Sequence, residues 1–112
     1  MTGYNRGDVV LVSFVFSDET GERRRPAVIV SSDAYHKSRQ EAIIAAVTSR
    51  TDRILMGDHL ISDWQSAGLF FPSVATGIIR TVKQGMIAKR LGVMPAPDMQ
   101  MIDSKLKLVL GL

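Results

Sequence analysis

The chain contains no cysteine, so disulfides, thiolate nucleophiles and thiolate-bound metals are excluded from its stability and its chemistry. Histidine is nearly absent: His36 and His59 stand far apart, outside the HExxH spacing by which a helix presents two ligands to zinc. No metal site and no cofactor are expected. The longest apolar runs, such as Ala42 to Val47, fall well short of the roughly 20 residues a bilayer-spanning helix needs. Val9 to Phe16 follows Asp8 and only one cation, Arg6, with no small-residue cleavage site after it, so it reads as a strand rather than a signal peptide. Also missing are internal repeats, low-complexity tracts, a GxSxG elbow around any serine and a glycine-rich phosphate cradle. A hydrolase triad therefore has no support.

What is present is a 112-residue chain, 46% hydrophobic and 22% charged. That is enough to bury about two thirds of its unfolded surface in a single domain over residues 1–112. A net charge of +3 leans mildly toward an anionic partner. A cytoplasmic protein with no membrane association is the expectation.

Short strands dominate. Val9 to Phe16 is β-branched, aromatic and apolar on both faces, as inside a closed or doubly covered sheet. A polar loop, residues 17–22, leads to a second strand over Arg23 to Ser31, and the pair reads as a hairpin. Ser32 to Gln40 is polar and reads as irregular. Ala42 to Ser49 is a third strand, and Arg53 to Met56 is expected as a short fourth. Ser62-Asp63-Trp64-Gln65 fits a capping box opening a short inserted helix that Gly68 ends. Pro72 to Val82 and Met86 to Val93 read as strands with bends at Gly77 and Gly85. Beyond Pro95 and Pro97, apolar Met99, Ile102, Leu106 and Val109 recur at helical spacing and predict a C-terminal amphipathic helix. The fold class is mainly β (α+β): a small, strongly bent, SH3-like β-barrel with two helical additions.

Arg25-Pro26 stands at the mouth of the apolar run Ala27 to Val30. Its ordinary reading is a strand start, with proline first and arginine solvated. Its functional reading is a guanidinium held at a sheet rim, facing an anion. Strand alternation points Arg24 and Arg25 to opposite faces, so only one of them, Arg25, is expected to matter. Thr48 closes another apolar strand and is followed by Ser49 and Arg50, so period-2 alternation sets a hydroxyl and a cation on one face. Alone, each is commonplace. Asp18, Glu19 and Glu22 are most simply a solvated hairpin tip. Phe70-Phe71, beside Pro72, is expected to be a core or dimer contact, with base stacking as the alternative. The basic residues are spread along the chain, and only folding gathers them into a groove.

Taken in order, several segments resemble the MazF/PemK (Kid-like) family of toxin–antitoxin endoribonucleases. They are Arg6-Gly7-Asp8-Val9-Val10, Arg25-Pro26-Ala27-Val28-Ile29-Val30-Ser31, and Val47-Thr48-Ser49. Asp63 to Leu69 with Pro72-Ser73-Val74, Ile79-Arg80-Thr81, Lys89-Arg90-Leu91-Gly92 and the ending Leu110-Gly111-Leu112 complete the set. The resemblance implies a homodimer with single-stranded RNA in a groove near its interface. It also implies metal-independent cleavage at short sequence motifs, and an antitoxin whose acidic segment folds on binding and blocks the groove. The family's catalytic arginine matches Arg25 and its threonine Thr48; Ser49, Arg50 and Arg80 are the expected substrate-binding residues. Some members use a basic and an acidic residue after the Pro-Ser motif. Ala75 and Gly77 stand there here, so that variant of the mechanism does not carry over. The competing reading is a non-enzymatic module on the same barrel, either a gyrase poison acting through its apolar C-terminus or a silent RNA binder.

Overall fold

The computed structural model describes residues 3–15 and 22–112. The acidic residues Asp18 and Glu19, the side chain of Glu22 and the rest of the loop joining the first two strands lie outside the described residues. Strands β1 (Asp8–Val15), β2 (Glu22–Ile29) and β3 (Glu41–Thr48) are followed by the two-residue β4 (His59–Leu60), β5 (Val74–Lys83) and β6 (Ile87–Val93). Helices α1 (Asp33–Ser38) and α2 (Ala96–Leu110) complete the chain. The sheet is antiparallel, in the order β4-β5-β3-β2-β1-β6.

That order forces curvature. β5 and β6 are four strand positions apart, yet only Gln84–Met86, one 3-10 turn, joins them. In a flat sheet they would lie about 19 Å apart, beyond the reach of so short a connector. The sheet therefore rolls, bringing Val82 of β5 and Ile87 of β6 over the same core as Val10, Val12, Ala27, Ile29 and Ile44. The opposite face, Val9, Val28, Ala45, Val47 and Ala75, is covered by Ile102 of α2 and by Ile61, Ala67 and Leu69. Residues Val9, Val10 and Val12 of β1 are thus buried on both faces of the sheet, as its run of apolar residues at successive positions predicts. The strongly bent barrel is the observed architecture, although its edge strands β4 and β6 do not pair with each other.

Four local expectations fail. Residues 33–38 form α1 instead of irregular chain: the Ser32 hydroxyl accepts the Tyr35 N–H at 3.2 Å and caps a helix too short to show periodicity. Residues 53–56 are not a strand; the short strand is β4, paired with Val74 and Ala75. Residues 62–68 form turns rather than a capped helix, and the Ser62 amide to which the Gln65 side chain would reach back is taken by Asp98. Gly68 does close that segment with positive φ (84°), as read from the sequence. Pro26 is not at a strand start but inside β2, opposite Leu11.

Asp98, in the first turn of α2, is buried and joins three elements. Its carboxylate accepts the Ser62 and Asp63 N–H groups at 2.8 and 3.0 Å and lies 2.8 Å from His59 Nε2. Burial raises its pKa, but the Ser62 amide, the His59 imidazole and the Asp63 amide outweigh that and hold it below the ordinary carboxylate value. The N-terminal motif is likewise structural. Arg6 forms a bidentate pair with Asp103 and donates Nε to the Val30 carbonyl, while buried Asp8 pairs with Arg90 at 2.9 Å.

Asp98→Asn is expected to lower the unfolding free energy by about 3 kcal/mol at pH 7, since it leaves buried donors poorly matched. A carboxylate with a depressed folded pKa contributes stability above its unfolded pKa and loses it as pH falls through the folded value. Urea titrations should therefore show the gap between variant and wild type narrowing below about pH 4.

Candidate functional site

The site forms where β2 and β3 part. Their ladder runs Ile29–Ile44, Val28–Ala45, Ala27–Ala46 and stops. The next residue back, Pro26, has no N–H with which to extend it. Carried two residues further, the same register sets Arg25 opposite Thr48. Both belong to the face of Ala27, Ile29 and Ile44, whereas Arg24 belongs with Val28 on the other face. Arg25 and Thr48 line one groove of about 920 Å³.

Their states suit an anion. The Thr48 hydroxyl oxygen accepts the Arg50 N–H at 3.2 Å, which orients it and leaves its own proton to donate. Arg25 is exposed, and among the described residues no hydrogen bond or ion pair holds its guanidinium. The other expected contributors, Ser49, Arg50 and Arg80, line the same groove. Arg80 pairs with Ile44, so it lies about 13 Å along β3 from Thr48, at the far end. Arg50 is partly diverted by Asp52 at 3.3 Å, and that hydrogen bond holds the exposed Asp52 carboxyl below its ordinary value. Such a surface pair is weak and yields readily to a phosphate.

Three groups are added by the structure. Arg53 lines the groove and, among the described residues, is unpaired. Its signal in the sequence was a further cation three residues beyond Arg50. Asp58 accepts the Leu55 N–H and the Gly77 N–H, both at 2.9 Å, and so ties the loop after β3 onto β5. Gly77 lies in a bulge, where Thr76 to Ile78 of β5 face Ala46 alone, and beside it Gly57 and Val109 come into contact. Phe70 and Phe71 also line the groove; they are 78% and 66% exposed, so of the expected core or dimer contact the core half fails. Among the described residues, no three histidine or carboxylate side chains converge as a cation site requires. Ala75 is buried and presents only a methyl group.

Residues 5–110 match the family described as PemK-like, MazF-like toxin of type II toxin–antitoxin system. The chain belongs to this toxin family. Endoribonuclease MazF6 of Mycobacterium tuberculosis is 34% identical over 93 residues, covering 80% of this chain and 81% of that protein. Endoribonuclease MazF2 of Mycobacterium bovis matches to the same extent. In fold, the chain is similar to the MazE–MazF structure (Form-II) from Deinococcus radiodurans, with a TM-score of 0.82 at 20% identity over 100% of this chain and 99% of that one. A mycobacterial endoribonuclease in complex with its cognate antitoxin gives a TM-score of 0.77 at 20% identity, over 98% and 97% of the two chains. In this chain, Arg25 and Thr48 stand on neighbouring strands and line one groove.

Asp58→Ala should free the loop from the bulge. Hydrogen exchange at the Leu55 and Gly77 amides is expected to quicken by about tenfold, with roughly 1–2 kcal/mol lost from stability.

Proposed function

We propose that this chain is the toxin of a type II toxin–antitoxin pair, a single domain over residues 1–112 that cleaves single-stranded RNA at short sequence motifs and so arrests translation and growth. The observation that supports the reading is that Arg25 and Thr48, on neighbouring strands, line one groove together with Arg50, Arg53 and Arg80.

RNA carries its own nucleophile. The 2′-oxygen attacks the adjacent phosphorus, the bond from phosphorus to the 5′-oxygen breaks, and the products are a 2′,3′-cyclic phosphate and a 5′-OH. The 2′-OH loses its proton and the leaving oxygen gains one, so no metal is needed in the balance. The enzyme must align the attack and neutralise charge growing on the phosphoryl oxygens. Arg25 suits the second of these roles, because its planar fork matches two oxygens and stays charged at any working pH. The same property argues against it as general base. Thr48, already oriented by Arg50 N–H, donates its hydroxyl proton to the phosphate and fixes its position. Ser49, Arg50 and Arg80 grip the flanking chain.

The partners follow from the same surface. A basic groove attracts an acidic, partly disordered antitoxin segment that competes with RNA, and relatives have been solved with their antitoxins. Leu55, Met56, Ile78, Leu108 and Leu110 are each more than half exposed, and the Gly57–Gly77–Val109 contact joins the elements that carry them. An apolar side of this kind supports a homodimer. An RNA substrate and a cysteine-free chain fit work in the cytoplasm.

Purified protein incubated with single-stranded RNA in EDTA should leave 5′-OH and cyclic phosphate ends. Arg25→Ala and Thr48→Ala should each slow cleavage by about 100-fold or more, and Arg25→Lys should recover little, since an ammonium lacks the fork. Equal survival of the RNA with wild type and Arg25→Ala would sink the enzymatic reading. The gyrase-poison alternative predicts another pattern: toxicity abolished by deleting Leu110–Leu112 and untouched by Arg25→Ala.

A further inference from the structure

We propose that Phe70 and Phe71 form a stacking platform that holds one unpaired RNA base next to the cleaved phosphate, and thereby help to set where the chain is cut. This rests on the groove being the RNA site proposed above.

The first observation is exposure. Two adjacent large rings, 78% and 66% exposed, are left in water by a fold that buries apolar residues on both faces of its sheet. The second is rigidity. The Leu69 N–H donates to the Trp64 carbonyl at 3.1 Å, and the buried Ser73 hydroxyl donates to the Phe71 carbonyl at 2.7 Å. Pro72 stiffens the exit, so the rings are presented from a fixed turn and lose little entropy on binding. The third is position. Val74, which follows this turn, pairs with Thr48. Phe71 is three residues before it, within about 10 Å of chain.

Charge decides the occupant. The rings share their groove with Arg25 and Arg53, whose guanidinium groups have no partner among the described residues. A purely apolar protein surface closing over this groove would bury those cations unpaired, at a cost of several kcal/mol each. Single-stranded RNA offers both complements at once: phosphates for the guanidinium groups and flat faces for the rings. A basic groove with aromatic platforms is the general requirement for gripping an unpaired strand.

The test uses the full-length protein and a pool of random-sequence single-stranded RNA, with 5′-OH ends sequenced to find a cleaved site. Synthetic RNA bearing that site is then prepared with an abasic nucleotide at each flanking position in turn. Phe70→Ala or Phe71→Ala should lower kcat/KM by roughly 5- to 100-fold, Phe→Trp should restore it, and Phe→Leu should not. One abasic position should cost the wild type a similar factor and cost the alanine variant nothing more. The salt dependence of binding should be unchanged by the phenylalanine variants but flattened by Arg53→Ala. Wild-type rates in both alanine variants overturn the proposal. So does rescue by leucine equal to that by tryptophan, or an activity loss that tracks a changed oligomeric state in sedimentation, either of which marks a protein contact. Arg25→Ala separates the two readings. If it still cleaves, the groove is not the site and both fall; if it is inactive while the phenylalanine variants are intact, only the platform falls.

Discussion

Everything in this molecule is arranged around a connection too short for a flat sheet. Gln84–Met86 must join strands that lie on opposite sides of the β3-β2-β1 triplet, so the sheet has no option but to roll. Gln84 secures the closure. Its side-chain amide donates to the carbonyls of His36, Arg39 and Glu41, and its own N–H donates to the Gln40 carbonyl. One polar side chain thus ties the connector to the end of α1 and the start of β3. Ser31 reinforces the same corner from inside, with its hydroxyl between the Ile43 amide and His36 Nε2. The rolled sheet in turn leaves β2 and β3 splayed at their far ends, and that opening is the groove.

The site exploits the difference between backbone order and side-chain freedom. Arg25 and Thr48 lie just beyond the point where β2 and β3 part, each still held by its other neighbour, Arg25 by Val12 of β1 and Thr48 by Val74 of β5, so their Cα positions are set by the sheet while their side chains remain available. A side chain on a free loop would lose ordering entropy at each encounter with substrate; one on a paired strand has lost it already in folding. Asp58 extends that economy to the adjoining loop, because both of its oxygens are committed to backbone amides.

Much of this was legible in the residues. Apolar stretches rich in β-branched and aromatic residues marked β1, an apolar run marked β3, and apolar residues at Met99, Ile102, Leu106 and Val109 marked α2, because these signals are local. Alternation also separated Arg24 from Arg25 correctly. What could not be read was anything set by long-range pairing. Asp98 is 36 residues from Ser62, yet it claims the amide that a capping box would orient, so a sound local motif lost to a buried carboxylate. β4 exists only because Val74 and Ala75 pair with it, and a two-residue strand has no periodicity to display. Phe70-Phe71 read as a core or dimer contact on composition, and the chain leaves both rings exposed. The meeting of Arg25 and Thr48 depends on the β2–β3 register, which the sequence suggested only through family likeness.

The bulge at Gly77 carries a consequence for how this chain can change over generations. Between Ala75 and Ile79, β5 uses four steps where β3, from Val47 to Ala45, uses two. An excess of two preserves the alternation of faces, so Arg80 stays in phase with the groove. An excess of one would turn every later residue of β5 over, taking Arg80 off the groove face and buried Val82 out of its core. Insertions and deletions at this point are therefore tolerable in pairs and ruinous singly. Length here is constrained by parity, independently of which amino acids fill it.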